Sequence, residues 1–151
     1  MMPYQTPDTK SENAFAKIIA ARMDDIPKAQ ILTRFAADDI ALPNIAAVAE
    51  TAEPQGAGLE SITGNWTLQM KITLQSDFRR TGAAEHDRMV GVLGDLLIAD
   101  RLEDDLNAAM ADEEFHAMRW TPGPRTNRVE NGRLITEQAG ELLMMPSKPA
   151  V

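Results

Sequence analysis

Residues Trp66 to Gln75 alternate without a break. Trp66, Leu68, Met70, Ile72 and Leu74 are large and apolar, whereas Thr67, Gln69, Lys71, Thr73 and Gln75 are polar. A period of two over this length puts every apolar side chain on one face of an extended strand. One face must then be covered by the rest of the chain while the other meets water. The pattern predicts an antiparallel sheet with a single covered face, and it demands amphipathic segments to cover it.

Three helical patterns supply the cover. Phe15, Ile18, Ile19, Met23 and Ile26 recur at helical spacing, with Lys10, Lys17, Arg22 and Asp25 on the wet face. Thr9 and Glu12 have capping-box spacing, which predicts a helix opening near Thr9 with Glu12 reaching back to its N-terminus. Pro27 limits its run. A second helix is expected from about Gly82 to Ala99, with His86, Met89, Val90, Leu93, Leu96 and Leu97 as its apolar stripe. Gly91 and Gly94 lie inside it, each costing roughly 1 kcal/mol against Ala and admitting close approach of another backbone. A third helix, Leu102 to Met110, turns Leu102, Leu106 and Ala109 inward and Glu103, Asp104 and Asp105 outward.

Shorter strand signals complete the sheet. Gln30–Ala36 fits a short strand, favoured here, or a second helical turn; Ile45–Thr51 reads as an Ala-rich strand and Phe115–Trp120 as another, and Pro43 holds Leu42 extended. Asn131-Gly132 sits between Arg128-Val129-Glu130 and Arg133-Leu134-Ile135, the pattern of a two-residue hairpin. Residues 53–65 read as a long exposed loop. The chain of 151 residues suits one domain. The expected organisation is a flexible segment at 1–8, a single α+β domain over 9–144, and a flexible tail or arm at 145–151. In that α+β fold, an N-terminal helix and two further helices pack on one face of an antiparallel sheet closed by a β-hairpin.

Charge and chemistry narrow the function. The net charge is -8, and an acidic chain repels phosphate backbones. Residues 77–114 hold eleven acidic against four basic side chains, whereas 115–151 hold three against five. There is no cysteine, which excludes disulfides, thiolate nucleophiles and Cys-ligated metal centres. No apolar run is long enough to span a bilayer and no signal-peptide pattern opens the chain, so a cytoplasmic location is expected.

A Ser nucleophile needs a histidine within reach, and the chain has only His86 and His116, with no G-x-S-x-G elbow. On the apolar stripe of the second helix, His86 reads as a hydrogen-bonded core or interface residue. Glu114 and His116, with Glu113 adjacent, are the candidate metal ligands; two ligands at i, i+2 spacing without a third read as solvated strand residues. The Asp100–Asp105 run, with 112–114, lacks the ligand spacing and glycine of a calcium loop. Gly56-Ala57-Gly58 with Ser61 lacks the third glycine of a dinucleotide site and precedes a strand instead of a helix. No catalytic residue, cofactor or metal is expected, and the chain does not read as an enzyme. Arg119, Arg125, Arg128 and Arg133 cluster around the hairpin without interleaved aromatics to stack bases, so an acidic protein surface is their expected contact.

The order of segments carries one more reading. An amphipathic helix is followed by Ala-Leu-Pro-Asn-Ile (41–45), NWTLQMKITLQSD (65–77), H-x-x-M-V-x-x-L (86–93), L-N-A-A (106–109), F-H-A-M-R-W (115–120) and the closing hairpin. Over residues 10–145 this order resembles the tail terminator and neck (tail-completion) proteins of long-tailed bacteriophages. The resemblance implies a structural virion protein, assembled in the host cytoplasm, with a small sheet flanked by helices. It implies a homo-oligomer, a hexameric ring of roughly 100 kDa from six 16.6 kDa copies. Such a ring caps the tail tube, ends its polymerisation and joins it to a head-side connector or stopper protein, with no membrane involved. Asp100, Glu103, Asp104 and Asp105 at its lumen or interface would let DNA pass without specific binding. The alternatives are a head-completion or stopper subunit, a small metal-dependent enzyme built on His116, Glu114 and His86, and a cytoplasmic adaptor module.

Overall fold

The alternating segment is the central strand of a five-stranded sheet. The computed structural model describes residues 6–34, 41–54, 64–111 and 114–146. In chain order these form α1 (Pro7–Arg22), a 3-10 turn (Lys28–Gln30), β1 (Ile31–Leu32), β2 (Asn44–Pro54), β3 (Trp66–Asp77), α2 (Gly82–Leu97), α3 (Leu102–Met110), β4 (Phe115–Glu130) and β5 (Arg133–Pro146). The sheet order is β1-β2-β3-β5-β4.

Leu68, Met70, Ile72 and Leu74 of β3 are fully buried. Ile45, Ala47 and Ala49 of β2 and Leu142 and Met144 of β5 join them on the same face. Phe15 and Ile19 of α1, Met89, Leu93 and Leu97 of α2, and Leu102 and Leu106 of α3 close the layer. The result is one α+β domain with three helices over one sheet face. On the other face Lys71 lies between Glu50 at 3.5 Å and Glu137 at 3.4 Å, and Gln69 donates to Glu141 at 3.0 Å. Such exposed pairs contribute fractions of a kcal/mol and mainly keep that face wet.

The sheet is mixed, not wholly antiparallel as expected. β1 runs parallel to β2, Ile31 opposite Ile45 and Leu32 opposite Ala46; the other three pairings are antiparallel. Parallel neighbours need a connection that carries the chain back along the sheet before the second strand begins. The strand expected over 30–36 is reduced to Ile31 and Leu32, with Gln30 in the preceding turn; positions 35 and 36 lie outside the described residues. β2 continues past Thr51 to Pro54, and most of the loop expected at 53–65, with Gly56, Ala57, Gly58 and Ser61, also lies outside them.

The first helix opens earlier than the capping-box spacing predicts. Thr6 is its N-cap, accepting the Thr9 N–H at 3.4 Å, and Pro7 occupies the first turn, where a missing N–H costs nothing. Glu12 therefore does not cap. It turns inward, is 1% exposed, and its Oε2 accepts the Ala49 N–H at 2.7 Å. Ala49 stands beside the register shift at Glu50, where a β-bulge interrupts the β2–β3 ladder. At the other end, β5 takes in Met145 and Pro146, beyond the boundary expected at 144. Residues 1–5 and 147–151 lie outside the described set.

The hairpin forms as expected. Asn131 (φ 52°) and Gly132 (φ 75°) are both left-handed, and Glu130 pairs with Arg133 across the turn. That is the geometry of a type I′ turn, which Asn-Gly satisfies at least cost. All six residues of the expected α2 stripe are buried. At the middle of the sheet the Trp120 indole packs 5.2 Å from the Phe15 ring centroid, donates from Nε1 to the Leu97 carbonyl at 2.8 Å, and lies across Gly140 of β5.

Candidate interaction surface

The edge strand β4 is covered over only half its length. Leu102 and Leu106 anchor α3 in the core, which sets Glu103 and Asn107, one helical turn apart, against the strand's outer edge. The Asn107 amide accepts the Ala117 N–H at 2.6 Å and donates to the Ala117 carbonyl at 3.0 Å, taking the place of a neighbouring strand. Glu103 Oε1 accepts the Trp120 N–H at 2.9 Å. Glu103 is thus half-buried against β4 and does not point outward as expected.

Beyond Trp120 no helix side chain takes a strand's place at the edge among the described residues, and every residue from Thr121 to Glu130 is exposed. Pro122 and Pro124 remove backbone donors there, and the register shifts between Pro122 and Arg125. Both features blunt an edge against indiscriminate strand pairing.

The four hairpin arginines do not form one cluster. Arg128 and Arg133 meet on the open face, around a hollow of about 420 Å³ lined also by Gln75, Glu130, Asn131 and Ile135. Arg128 donates to Glu137 at 2.5 Å and to Glu130 at 3.0 Å, and the hydrogen bond to Glu137 raises its pKa. Arg133 donates to Gln75 Oε1 at 3.2 Å. Arg125 lies on the helix side, its Nη1 3.5 Å from where a Cβ on Gly94 would stand. Gly94 therefore admits an arginine, not another backbone, and a cation beside the last turn of α2 suits the helix dipole. Nothing approaches Gly91 within 4 Å. Arg119 stands exposed further along β4. Of the acidic residues, Asp100, Asp104 and Asp105 are exposed.

A second part of this surface lies outside the residues expected to meet a partner. Phe78 is 50% exposed and Val129 65% exposed, and they share a hollow of about 560 Å³ with Asp77, Arg79, Asn131 and Gly132. The Phe78 N–H donates to the Gly132 carbonyl at 2.9 Å, tying the hairpin turn to the turn after β3. Asp77 accepts the N–H groups of Arg79 at 2.8 Å and Arg80 at 3.1 Å. The bonds from Arg80 and Arg79 hold its carboxyl below the usual carboxylate range. The signal was available: an aromatic residue followed by two arginines inside a turn has no core to enter.

The histidines part company. His86 is buried, its Nδ1 2.5 Å from Ser76 Oγ and its Nε2 2.9 Å from Thr136 Oγ1. The Thr136 hydroxyl donates to Asn127 Oδ1 at 2.8 Å, so it accepts from Nε2–H, and the neutral ring accepts the Ser76 proton at Nδ1. His116 pairs with Met145, nine positions along β5 from Thr136, about 30 Å away at strand rise. The grouping of His116, Glu114 and His86 is therefore not made. Glu114 sits 3.4 Å from the Lys10 ammonium, and Glu113 is outside the described residues. Among the described residues no three His, Asp or Glu side chains gather to hold a metal.

Burial lowers the His86 pKa from its ordinary 6.5, with Asp87 opposing weakly. The unfolded chain then takes up a proton that the folded one refuses, so this residue's contribution is complete above pH 6.5 and declines as pH falls below it. Stability followed by urea unfolding should drop more steeply from pH 7 to 5 in the native chain than in His86→Gln.

Compared with known proteins, the chain matches no family and no curated protein. No helix among the described residues is long and apolar enough to cross a membrane.

Proposed function

We infer that this protein is a structural assembly subunit of the tail-terminator kind, a ring that caps a phage tail tube, ends its polymerisation and joins it to the head-side connector. One observation carries the assembly reading: the last ten residues of β4 are all exposed, and only β5 pairs with them, on one side. A ribbon of this length gains little by itself, and its open face, away from α2, is available to partners. The order of segments supplies the kind of assembly. Arg119, Arg128 and Arg133 on the open face are the proposed contacts with tube or connector. Asp100, Asp104 and Asp105 are the proposed lumen or interface charges.

The test is a mixing assay with tubes assembled from the tail tube protein of the same genome. Electron microscopy should find this protein at tube ends only, with tube growth arrested. Deleting residues 122–131 of the hairpin should abolish end binding. Tubes that lengthen unchanged, or protein spread along their sides, would sink the reading.

A further inference from the structure

We propose that the Phe78–Val129 knuckle at the hairpin end docks on the corner between α2 and α3 of a second copy of this chain, joining copies head to tail. The proposal rests on the assembly reading above. On the knuckle, Phe78 is 50% and Val129 65% exposed over their shared hollow; Arg79 lines it and Arg80 follows in the chain, two cations against the one carboxylate of Asp77, and neither is in a salt bridge among the described residues. Exposed apolar side chains of this size, gathered at one place and rimmed by charge, mark a contact surface. The Phe78–Gly132 bond and the Asp77 turn hold the knuckle in one shape. A preformed surface loses little conformational freedom on docking.

The opposite corner is its complement. Ile98 is 65% exposed over a hollow it shares with Asp95 and Arg125, and residues 95–105 carry four exposed carboxylates (Asp95, Asp100, Asp104, Asp105), so the corner stays acidic against Arg101 and Arg125. Each surface therefore couples an exposed apolar anchor to charge, and the two charges are opposite. The corner and the knuckle stand at opposite ends of α2, whose 16 residues span about 24 Å, so one chain cannot close the contact on itself. Knuckle against knuckle would set arginines on arginines. The contact is heterologous, of the type that propagates into rings.

Full-length protein is followed by sedimentation velocity at low and high salt. The native chain should self-associate, more weakly at high salt. Arg79→Glu with Arg80→Glu, and separately Asp100→Lys with Asp104→Lys, should each weaken association by about tenfold or more. Mixing the two variants should restore it, because a reversed knuckle then meets a reversed corner. Phe78→Ser should weaken association while leaving the thermal midpoint unchanged, since the side chain lies outside the core. A chain that stays monomeric at every concentration, or variants that no mixing rescues, would overturn the proposal. So would a native chain whose Arg79 and Arg80 serve only to bind anionic vesicles or duplex DNA. Tube-end binding is read separately. Rescue without end binding leaves this contact standing and removes the tail reading; end binding without rescue does the reverse.

Discussion

Gly140→Ala should destabilise the protein by about 2–4 kcal/mol, the range of a core clash that nothing soft can absorb. A Cβ at this position would fall inside the Trp120 ring. The ring cannot slide away cheaply, because it packs on Phe15 and its Nε1 is bonded to the Leu97 carbonyl. Moving it leaves the end of α2 without that donor and opens a void between α1 and the sheet. Trp120→Ala alone should cost about 3–5 kcal/mol through the lost packing. In the double variant the clash has vanished, so adding Gly140→Ala to Trp120→Ala should cost far less than it does in the native background. Urea unfolding of the four proteins measures this directly. Additive costs would show that Trp120 is not what excludes a side chain from position 140.

Glu12 carries the second large effect. Burial raises its pKa above the ordinary 4.5, and the charge of Asp8 adds to the rise; the Ala49 N–H and the Arg34 charge oppose it. The folded carboxyl therefore holds a proton to higher pH than the unfolded one. In that window the native state binds more protons, so this residue's contribution grows as pH falls towards 4.5 and shrinks as pH rises. Asp8 works in the opposite sense. Burial alone would raise it, but hydrogen bonds from Thr6 and Arg34 and the Arg34 charge outweigh burial and hold it below 3.8. Its contribution is present above 3.8 and is lost as pH falls through the lowered value.

Glu12→Gln keeps an acceptor for the Ala49 N–H and removes the titration, so the variant should gain on the native chain as pH rises from 4.5 to 7. Glu12→Ala removes the acceptor beside the bulge and the carboxylate 3.5 Å from Arg34 Nε, and should cost about 2–4 kcal/mol. Urea midpoints across that pH range separate the two variants. A Glu12→Gln curve parallel to the native one would show that this carboxyl does not titrate differently on folding.

Glu12 is a residue whose sequence context pointed elsewhere. Thr9-x-x-Glu12 has the spacing of a capping box, yet Thr6 and Pro7 begin the helix one turn earlier and leave Glu12 in its interior. From that position it faces the sheet, and only the β-bulge explains why a carboxylate belongs there. Glu103 is similar. Its helix and its place in the first turn could be read from spacing, but its direction is set by the strand edge it meets. The parallel pairing of β1 was equally hidden, since two residues carry no period.

For the candidate surface the balance is comparable. The Asn131-Gly132 turn and the arginines around it could be read directly, because turn geometry is a local demand. Their separation onto two faces depends on strand parity and on the register shift between Pro122 and Arg125. Phe78 and Val129, 51 positions apart, meet because β5 pairs with both β3 and β4 and the Phe78 N–H reaches the Gly132 carbonyl.

Residue spacing accounts for what is periodic and local. The apolar face of Trp66–Leu74, the buried stripe of α2, the span of α3 and the type I′ turn all follow from residue spacing and backbone preference, which act within a few positions. Tertiary structure alone decided that the sheet is mixed, that Glu12 serves a bulge, that α3 covers half of β4, and that an exposed aromatic knuckle stands at the hairpin end. Each of these joins residues far apart in the chain, and no local spacing encodes which distant group completes a hydrogen bond or leaves a side chain uncovered.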